Sequence, residues 1–138
     1  MANPTVPVLN SPIAGVKIAD NTPALNFTIP SDTDNNNLVF QIELDTNNPI
    51  SQVSSDYKKF ESRLQQGVWQ YWNGSSYVDI PSGGIRSIDY GKDAVFTVPN
   101  INRLRNSIWY WKVSASDQMS HVLFGTTATF AQAIFGGS

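Results

Sequence analysis

Hydrophobic and polar residues alternate along short segments of this chain, most clearly between residues 107 and 117. There Trp109, Trp111 and Val113 occupy every second position, so a β-strand would place them on one face. A helix would set the two tryptophans about 200° apart. Each indole ring buries about 150–250 Å² when it is covered. The pattern therefore predicts a central strand whose tryptophan face lies under a second layer of strands.

Other segments show the same alternation and are separated by proline, glycine and asparagine. Further strands are predicted at residues 22–30, 38–44, 94–99 and 122–133, with a proline-rich edge strand within residues 1–22. Residues 68–81 predict a β-hairpin in which Asn73 and Gly74 form a type I′ turn. Because helical periodicity is nearly absent, the chain is predicted to be an all-β sandwich of two sheets.

Residues 50–66 allow two interpretations. Ser55 would cap a helix in which Tyr57, Phe60 and Leu64 share one face. Alternatively, a loop leads into a short strand at residues 60–64. The second interpretation is preferred, because strands are predicted on both sides of this segment.

Composition narrows the classes of partner. The chain has 138 residues, no cysteine and a net charge of −2, which suits a single domain that needs no disulfides. Its nine lysines and arginines are mostly scattered, which argues against nucleic acid or an anionic membrane as a partner. No apolar run approaches the roughly 18 residues of a membrane helix. The N-terminal residues also lack the pattern of a signal peptide.

Several segments resemble a known family. They resemble fibronectin type III-like, or immunoglobulin-like, modules of bacterial and phage proteins, and they are residues 7–15, 22–27, 32–36, 38–42, 104, 109–117 and 129–130. Phe27 stands where that family usually has a core tryptophan, and either Trp109 or Tyr110 aligns with its tyrosine corner. The resemblance implies a sandwich of about seven strands.

The resemblance also implies a domain organisation and a role. Residues 1–138 would form one domain, with an insertion at roughly residues 47–92 that carries the aromatic hairpin, and a short tail at residues 134–138. Such modules are typically non-catalytic spacers, adhesion units or virion-surface domains. The chain is therefore expected to be a structural or interaction module of a phage virion or a bacterial surface, with other proteins of that assembly as partners.

One acidic loop is a candidate cation site. Asp32, Asp34, Asn36 and Glu43 fall at positions 1, 3, 5 and 12 of a calcium-loop template. Position 6 is Asn37 where the template requires glycine, and no helices flank the loop, so an EF-hand is rejected.

A looser site for a hard cation such as calcium would use Asp32, Asp34 and Asp117, because the fold places their loops at the same end of the sandwich. The preferred alternative is a solvated turn in which these side chains bond their own backbone.

The aromatic hairpin is the candidate binding site. Trp69 and Tyr71 must lie on one face of the ribbon and Trp72 on the other. One set is expected to pack on the sandwich. The other set, together with Tyr77, would form a platform for a sugar ring or a contact for another protein. Packing of both sets within the insertion is the preferred alternative.

Catalysis finds little support in the sequence. The single histidine, His121, lies near Ser120 and Asp117 on one turn, and such neighbours do not form a converging triad. The chain is therefore expected not to be an enzyme. The alternative to a structural module is a carbohydrate-binding module, in which a glycan stacks on the hairpin aromatics and calcium binds at the acidic loop.

Overall fold

The computed structural model describes residues 4–5, 7–11, 16–18, 22–47, 49–99, 102, 104, 107–117, 126–127 and 131–135, of which 16–18, 126–127 and 131–135 are described by their backbone alone. These residues form eleven strands and two short 3₁₀ helices. The strands are β1 (Val8–Ser11), β2 (Val16–Ile18), β3 (Ala24–Thr28), β4 (Val39–Asp45), β5 (Lys58–Glu61), β6 (Val68–Trp72), β7 (Tyr77–Asp79), β8 (Asp93–Thr97), β9 (Ser107–Ser116), β10 (Thr126–Thr127) and β11 (Ala131–Phe135). The 3₁₀ helices span Ser62–Leu64 and Ser87–Asp89.

The strands form two sheets. The first sheet has the order β1-β3-β8-β6-β7, and the second has the order β2-β11-β9-β4-β5 with β10 paired to β9. Neighbouring strands are antiparallel except β2 and β11, which run parallel. The prediction of an all-β, sandwich-like architecture is confirmed.

The tryptophan strand β9 lies inside the second sheet, between β11 and β4. Trp109 and Trp111 are at most 1% exposed, as the alternation predicted. From the first sheet, Phe27 meets Phe40 of β4 edge to face, with ring centroids 5.2 Å apart. The hydrophobic core therefore lies between the two sheets and is built from the inward positions of both.

Residues 50–66 follow the loop-then-strand interpretation, and the helix alternative is wrong. The strand is β5, which starts two residues before the predicted start and gives way to a 3₁₀ helix at Ser62. Phe60 is 5% exposed whereas Leu64 is 50% exposed, so the buried face ends early. Ser62 Oγ also accepts a hydrogen bond from the Phe40 backbone N at 2.9 Å, and this contact holds the start of the 3₁₀ helix against β4.

The predicted hairpin is present, but its connection is longer than a two-residue type I′ turn. Trp72 pairs with Tyr77, which leaves residues 73–76 as the loop. Asn73 Oδ1 accepts hydrogen bonds from the backbone N atoms of Ser75 and Ser76 at 2.9 and 3.0 Å. The asparagine side chain thus closes the loop.

The region at roughly residues 47–92 contributes to both sheets. β5 pairs with β4 at the edge of the second sheet. β6 pairs with β8 and thereby joins the hairpin to the first sheet. Gly67, at φ +80°, precedes β6, and a Cβ atom there would lie 2.3 Å from the Phe96 ring. β6 can approach β8 closely because this position carries no side chain.

The predicted strand at residues 122–133 corresponds to two short described strands, β10 and β11, which both pair with β9. His121 and Ser120 lie outside the described residues. Among the described residues, no helix has the length and apolar character that crossing a membrane would require.

Candidate binding surface

The outer side of the first sheet is a continuous surface that we call the open face. Alternation along the five strands turns one set of residues toward solvent. The set is Val8, Asn10, Ala24, Asn26, Thr28, Val68, Gln70, Trp72, Tyr77, Asp79, Asp93, Val95 and Thr97, and each of these residues is at least partly exposed.

An aromatic pair stands at one edge of the open face. Trp72 and Tyr77 are cross-strand neighbours on β6 and β7, and their ring centroids are 5.2 Å apart at an interplanar angle of 66°. Trp72 is 39% exposed and Tyr77 is 44% exposed. Edge-to-face contact holds each ring against the other, so the pair is a preformed aromatic platform.

The other two hairpin aromatics face inward. Trp69 is 3% exposed, and its ring lies 4.7 Å from that of Phe96. Its Nε1 donates a hydrogen bond to the Gln66 carbonyl oxygen at 2.7 Å. Tyr71 is partly buried against the hydrophobic core. Trp69 is therefore a core residue that a ligand cannot reach, whereas Trp72 and Tyr77 are exposed to solvent.

Amide and hydroxyl groups occupy the middle and the opposite edge of the open face. The register aligns Asn26 with Val95, Val95 with Gln70 and Gln70 with Asp79 across the strands. Asn10 Nδ2 donates to Asn26 Oδ1 at 2.8 Å and to Thr28 Oγ1 at 3.0 Å. The open face is thus amphipathic, with aromatic rings at one edge and hydrogen-bonding side chains beside them.

A cavity of about 390 Å³ adjoins the edge opposite the aromatic pair. Val8 and Thr28 of the open face line it, together with Thr5, Ser31 and Tyr90. The Ser31 backbone N donates to Thr5 Oγ1 at 2.9 Å, which holds the N-terminal segment against this wall. The lining therefore combines hydroxyl groups with apolar surface.

The acidic loop forms a hydrogen-bonded turn. Asp32 is 3% exposed, and its Oδ1 accepts a hydrogen bond from the Asp34 backbone N at 3.0 Å. Its Oδ2 accepts one from Asn36 Nδ2 at 3.3 Å. The Asn36 carbonyl oxygen in turn accepts a hydrogen bond from the Tyr90 hydroxyl. Burial of the phenol raises the pKa of Tyr90, and the negative charge of Asp32 raises it further.

The predicted cation site is wrong for the part of the chain that the structure describes. Within those residues, no group of three histidine, cysteine or carboxylate side chains is placed to hold a metal ion. Asp117 therefore does not join Asp32 and Asp34 in a metal-binding cluster. The carboxylate of Asp32 bonds its own turn, as the alternative interpretation expected.

The outer side of the second sheet carries a polar network that the sequence did not predict. We call it the ionic face, and it comprises the outward residues of β4, β5 and β9 with the segment that covers them. Its members are Gln41, Glu43, Asp45, Tyr57, Lys59, Glu61, Arg63 and Lys112.

Glu43 is the centre of this network and is 7% exposed. Its Oε2 accepts a hydrogen bond from the Tyr57 hydroxyl at 2.6 Å, and Lys112 Nζ lies 3.5 Å from its Oε1. Burial of the phenol raises the pKa of Tyr57, and the hydrogen bond and negative charge of Glu43 raise it further. The neighbouring Glu61 pairs with Arg63 at 2.8 Å.

Asp45 is fully buried at the end of β4. Its oxygens accept hydrogen bonds from the backbone N atoms of Thr46 and Ser51 at 2.8 and 2.9 Å, and from Ser54 Oγ at 2.7 Å. Burial alone would raise the pKa of Asp45, but these hydrogen bonds and one from the Asn47 backbone hold the pKa below its usual value. Asp45 thus fixes the segment that covers the ionic face.

The chain was compared with known protein families, curated proteins and solved structures. A scan against family models and searches of curated proteins and solved structures found no match.

Proposed function

We propose that the chain is a non-catalytic structural and interaction module of a virion or bacterial surface assembly, and that it contacts its partner through the open face. The observation that carries this proposal is the exposed pair of Trp72 and Tyr77. The other three tryptophans are at most 3% exposed. Tryptophan and tyrosine are enriched where proteins bind partners, because their rings supply contact area at a small cost in conformational entropy.

The proposed module is an immunoglobulin-like sandwich, and the strand order supports this assignment. In such domains one sheet holds strands A, B, E and D, and the other holds C, F and G. Here β1, β3, β8 and β6 follow the order A-B-E-D, and β11, β9 and β4 follow the order G-F-C. β7 then extends the first sheet beyond the D position, and it brings Tyr77 beside Trp72.

The carboxylates of the ionic face support a structural role. An acid–base catalyst must exchange protons with a substrate, and its polar groups must therefore be accessible. Glu43 and Asp45 are at most 7% exposed, and both accept hydrogen bonds from neighbouring side chains. These carboxylates hold a loop and two strands together.

The test is co-sedimentation of the full chain with bacterial cells, purified cell walls and phage particles. Trp72→Ala is expected to raise the apparent dissociation constant about tenfold, because a stacked ring contributes on the order of 1.4 kcal/mol to binding. Ile88→Ala is the matched control. Ile88 is 72% exposed, belongs to the 3₁₀ helix at Ser87–Asp89, and is neither an outward residue of the open face nor a residue that lines the cavity.

Two results would overturn the proposal. One is that the Trp72→Ala protein keeps the wild-type melting temperature and binds all three kinds of particle as well as the wild type does. The other is the absence of binding to every particle tested. Turnover of a substrate by the chain would overturn the non-catalytic part separately.

A further inference from the structure

We infer that the open face binds an uncharged, hydroxyl-rich glycan that lies across the strands, from the cavity at β1 and β3 to the aromatic pair at β6 and β7. This inference deepens the proposed function, on which it rests, by naming the chemical class of the ligand. Three features of the open face support it: the alignment of its two contact points, its charge and its mixture of functional groups.

The cavity and the aromatic pair lie in one row across the sheet. Val8 of the cavity wall pairs with Thr28, and Thr28 pairs with Asp93. Tyr71 pairs with Ala94, so the next residue of β6, Trp72, lies level with Asp93. Trp72 pairs with Tyr77, which completes the row.

The row is long enough for a chain of several sugars. It crosses all five strands of the first sheet, from β1 at one edge to β7 at the other. With about 4.8 Å between neighbouring strands, the row measures about 19 Å. A single small molecule would reach only one of the two contact points. An extended ligand reaches both, and its affinity then depends on its length.

The charge of the open face disfavours anionic ligands. Its outward residues include two carboxylates, Asp79 and Asp93, and no lysine or arginine. Phosphate-containing polymers, nucleic acids and acidic polysaccharides would be repelled, because like charges side by side cost free energy. A carboxylate next to an aromatic ring accepts hydrogen bonds from hydroxyl groups. Asp93 lies between Thr28 and Trp72, where it would meet the hydroxyls of a neutral chain.

The functional groups also match a sugar. A sugar ring has an apolar face of C–H groups and an equatorial rim of hydroxyls. Trp72 and Tyr77 offer an apolar surface for stacking, and Gln70, Asn26 and Thr28 offer donors and acceptors on the same face. A protein partner of the usual size would bury about 800 Å² on each side, and the fully buried core of such an interface is more apolar than the rest of the surface. The centre of this face instead carries amides and hydroxyls around Val95.

The experiment titrates the full chain with neutral oligosaccharides from disaccharide to hexasaccharide, followed by calorimetry and tryptophan fluorescence. A glycan array of neutral bacterial surface polysaccharides extends this panel, and polygalacturonate serves as the anionic probe. Trp72 is the tryptophan that a ligand on the open face reaches, so fluorescence reports the platform directly. Affinity is expected to rise with chain length until the row is spanned, and polygalacturonate is expected not to bind.

Two variants locate the ends of the bound chain. Trp72→Ala is expected to weaken binding of the longest oligosaccharide about tenfold and to abolish the fluorescence response. Thr28→Val keeps the β-branched shape but removes a hydroxyl from the cavity end. It is expected to weaken binding of long oligosaccharides more than short ones. Ile88→Ala is expected to bind like the wild type.

The results distinguish this inference from the proposed function. Cell walls are oxidised with periodate, which destroys vicinal diols of sugars, or digested with protease. Loss of Trp72-dependent binding after periodate supports the inference. Trp72-dependent binding that survives periodate but not protease retains the proposed function and overturns the glycan ligand. Preference for polygalacturonate, or no binding to any neutral glycan, also overturns the inference.

Discussion

The outer faces of the two sheets differ in what their polar side chains contact. On the ionic face, Glu43 is 7% exposed and accepts a hydrogen bond from Tyr57. On the open face, Asp79 and Asp93 stand exposed at the sheet surface. Both faces carry carboxylates and a tyrosine, but only those of the ionic face are buried within a network.

This difference separates polar groups that stabilise the fold from polar groups that are available to a ligand. A buried carboxylate keeps its charge only when hydrogen bonds replace the lost water, so its partners belong to the folded structure. An exposed carboxylate keeps its hydration until a ligand displaces it. The ionic face is thus expected to govern stability, and the open face is expected to govern binding. Matched substitutions on the two faces test this division.

Among the polar substitutions, the largest effect on stability is expected for Asp45→Ala. Removal of this carboxylate leaves the partly buried donors of Thr46, Ser51 and Ser54 without their acceptor, which should lower the free energy of unfolding by about 3 kcal/mol. Asp79→Ala on the open face should change that free energy by no more than about 0.5 kcal/mol. Urea denaturation measures both. Equal effects of the two substitutions would contradict the division between the faces.

A smaller effect is expected for Tyr57→Phe. This substitution removes the hydroxyl that donates to Glu43 and leaves the ring in place, so the free energy of unfolding should fall by about 1–2 kcal/mol. Tyr77→Phe removes a hydroxyl from the open face and should have almost no effect on stability. The two proteins are compared by thermal and urea unfolding. A Tyr57→Phe protein as stable as the wild type would show that the hydrogen bond to Glu43 contributes nothing.

Alternation along single strands could be predicted from the sequence, and contacts between distant segments could not. The period of two placed Trp109 and Trp111 on a buried face, and it separated Trp69 from Trp72 before either position was known. It could not say which side of the hairpin would face the core, because that depends on the pairing of β6 with β8. These two strands lie more than twenty residues apart in the sequence, and their register decides that Trp69 faces the core.

The candidate sites show the same limit. The spacing of acidic residues around Asp32 suggested a cation, but the carboxylate bonds the backbone of its own turn. Ser51 and Ser54 bond the carboxylate of Asp45, and Tyr57 bonds that of Glu43. No periodicity within β4 reveals these contacts with the segment that follows it. A short polar segment rich in serine and asparagine was the available signal, because such side chains donate hydrogen bonds to buried carboxylates and backbone groups.

Alkaline pH should affect the ionic face through Tyr57. The pKa of Tyr57 is raised in the folded state, so the folded protein retains this proton at a pH where the unfolded chain releases it. The stabilisation is complete below the unfolded pKa of about 10 and is lost as the pH rises through the folded pKa. Wild type should therefore lose stability above about pH 10 more steeply than Tyr57→Phe. Unfolding midpoints at several alkaline pH values, with phenolate absorbance as the monitor of ionisation, test the difference. Identical pH profiles of the two proteins would contradict it.

Trp72→Ala is expected to have a small effect on stability, and its comparison with Trp69→Ala is the most direct contrast between exposed and buried positions of one strand. The Trp69 ring is 3% exposed and contacts Phe96, so its removal should cost about 3–5 kcal/mol. The Trp72 ring is 39% exposed and contacts Tyr77 edge to face, so its removal should cost no more than about 1 kcal/mol. Iodide, which quenches only accessible indoles, should quench wild type and leave most of the Trp72→Ala emission unchanged. If Trp72→Ala destabilised the protein as much as Trp69→Ala, the aromatic pair would stabilise the fold as a core residue does. That result would contradict the proposed binding role of the open face.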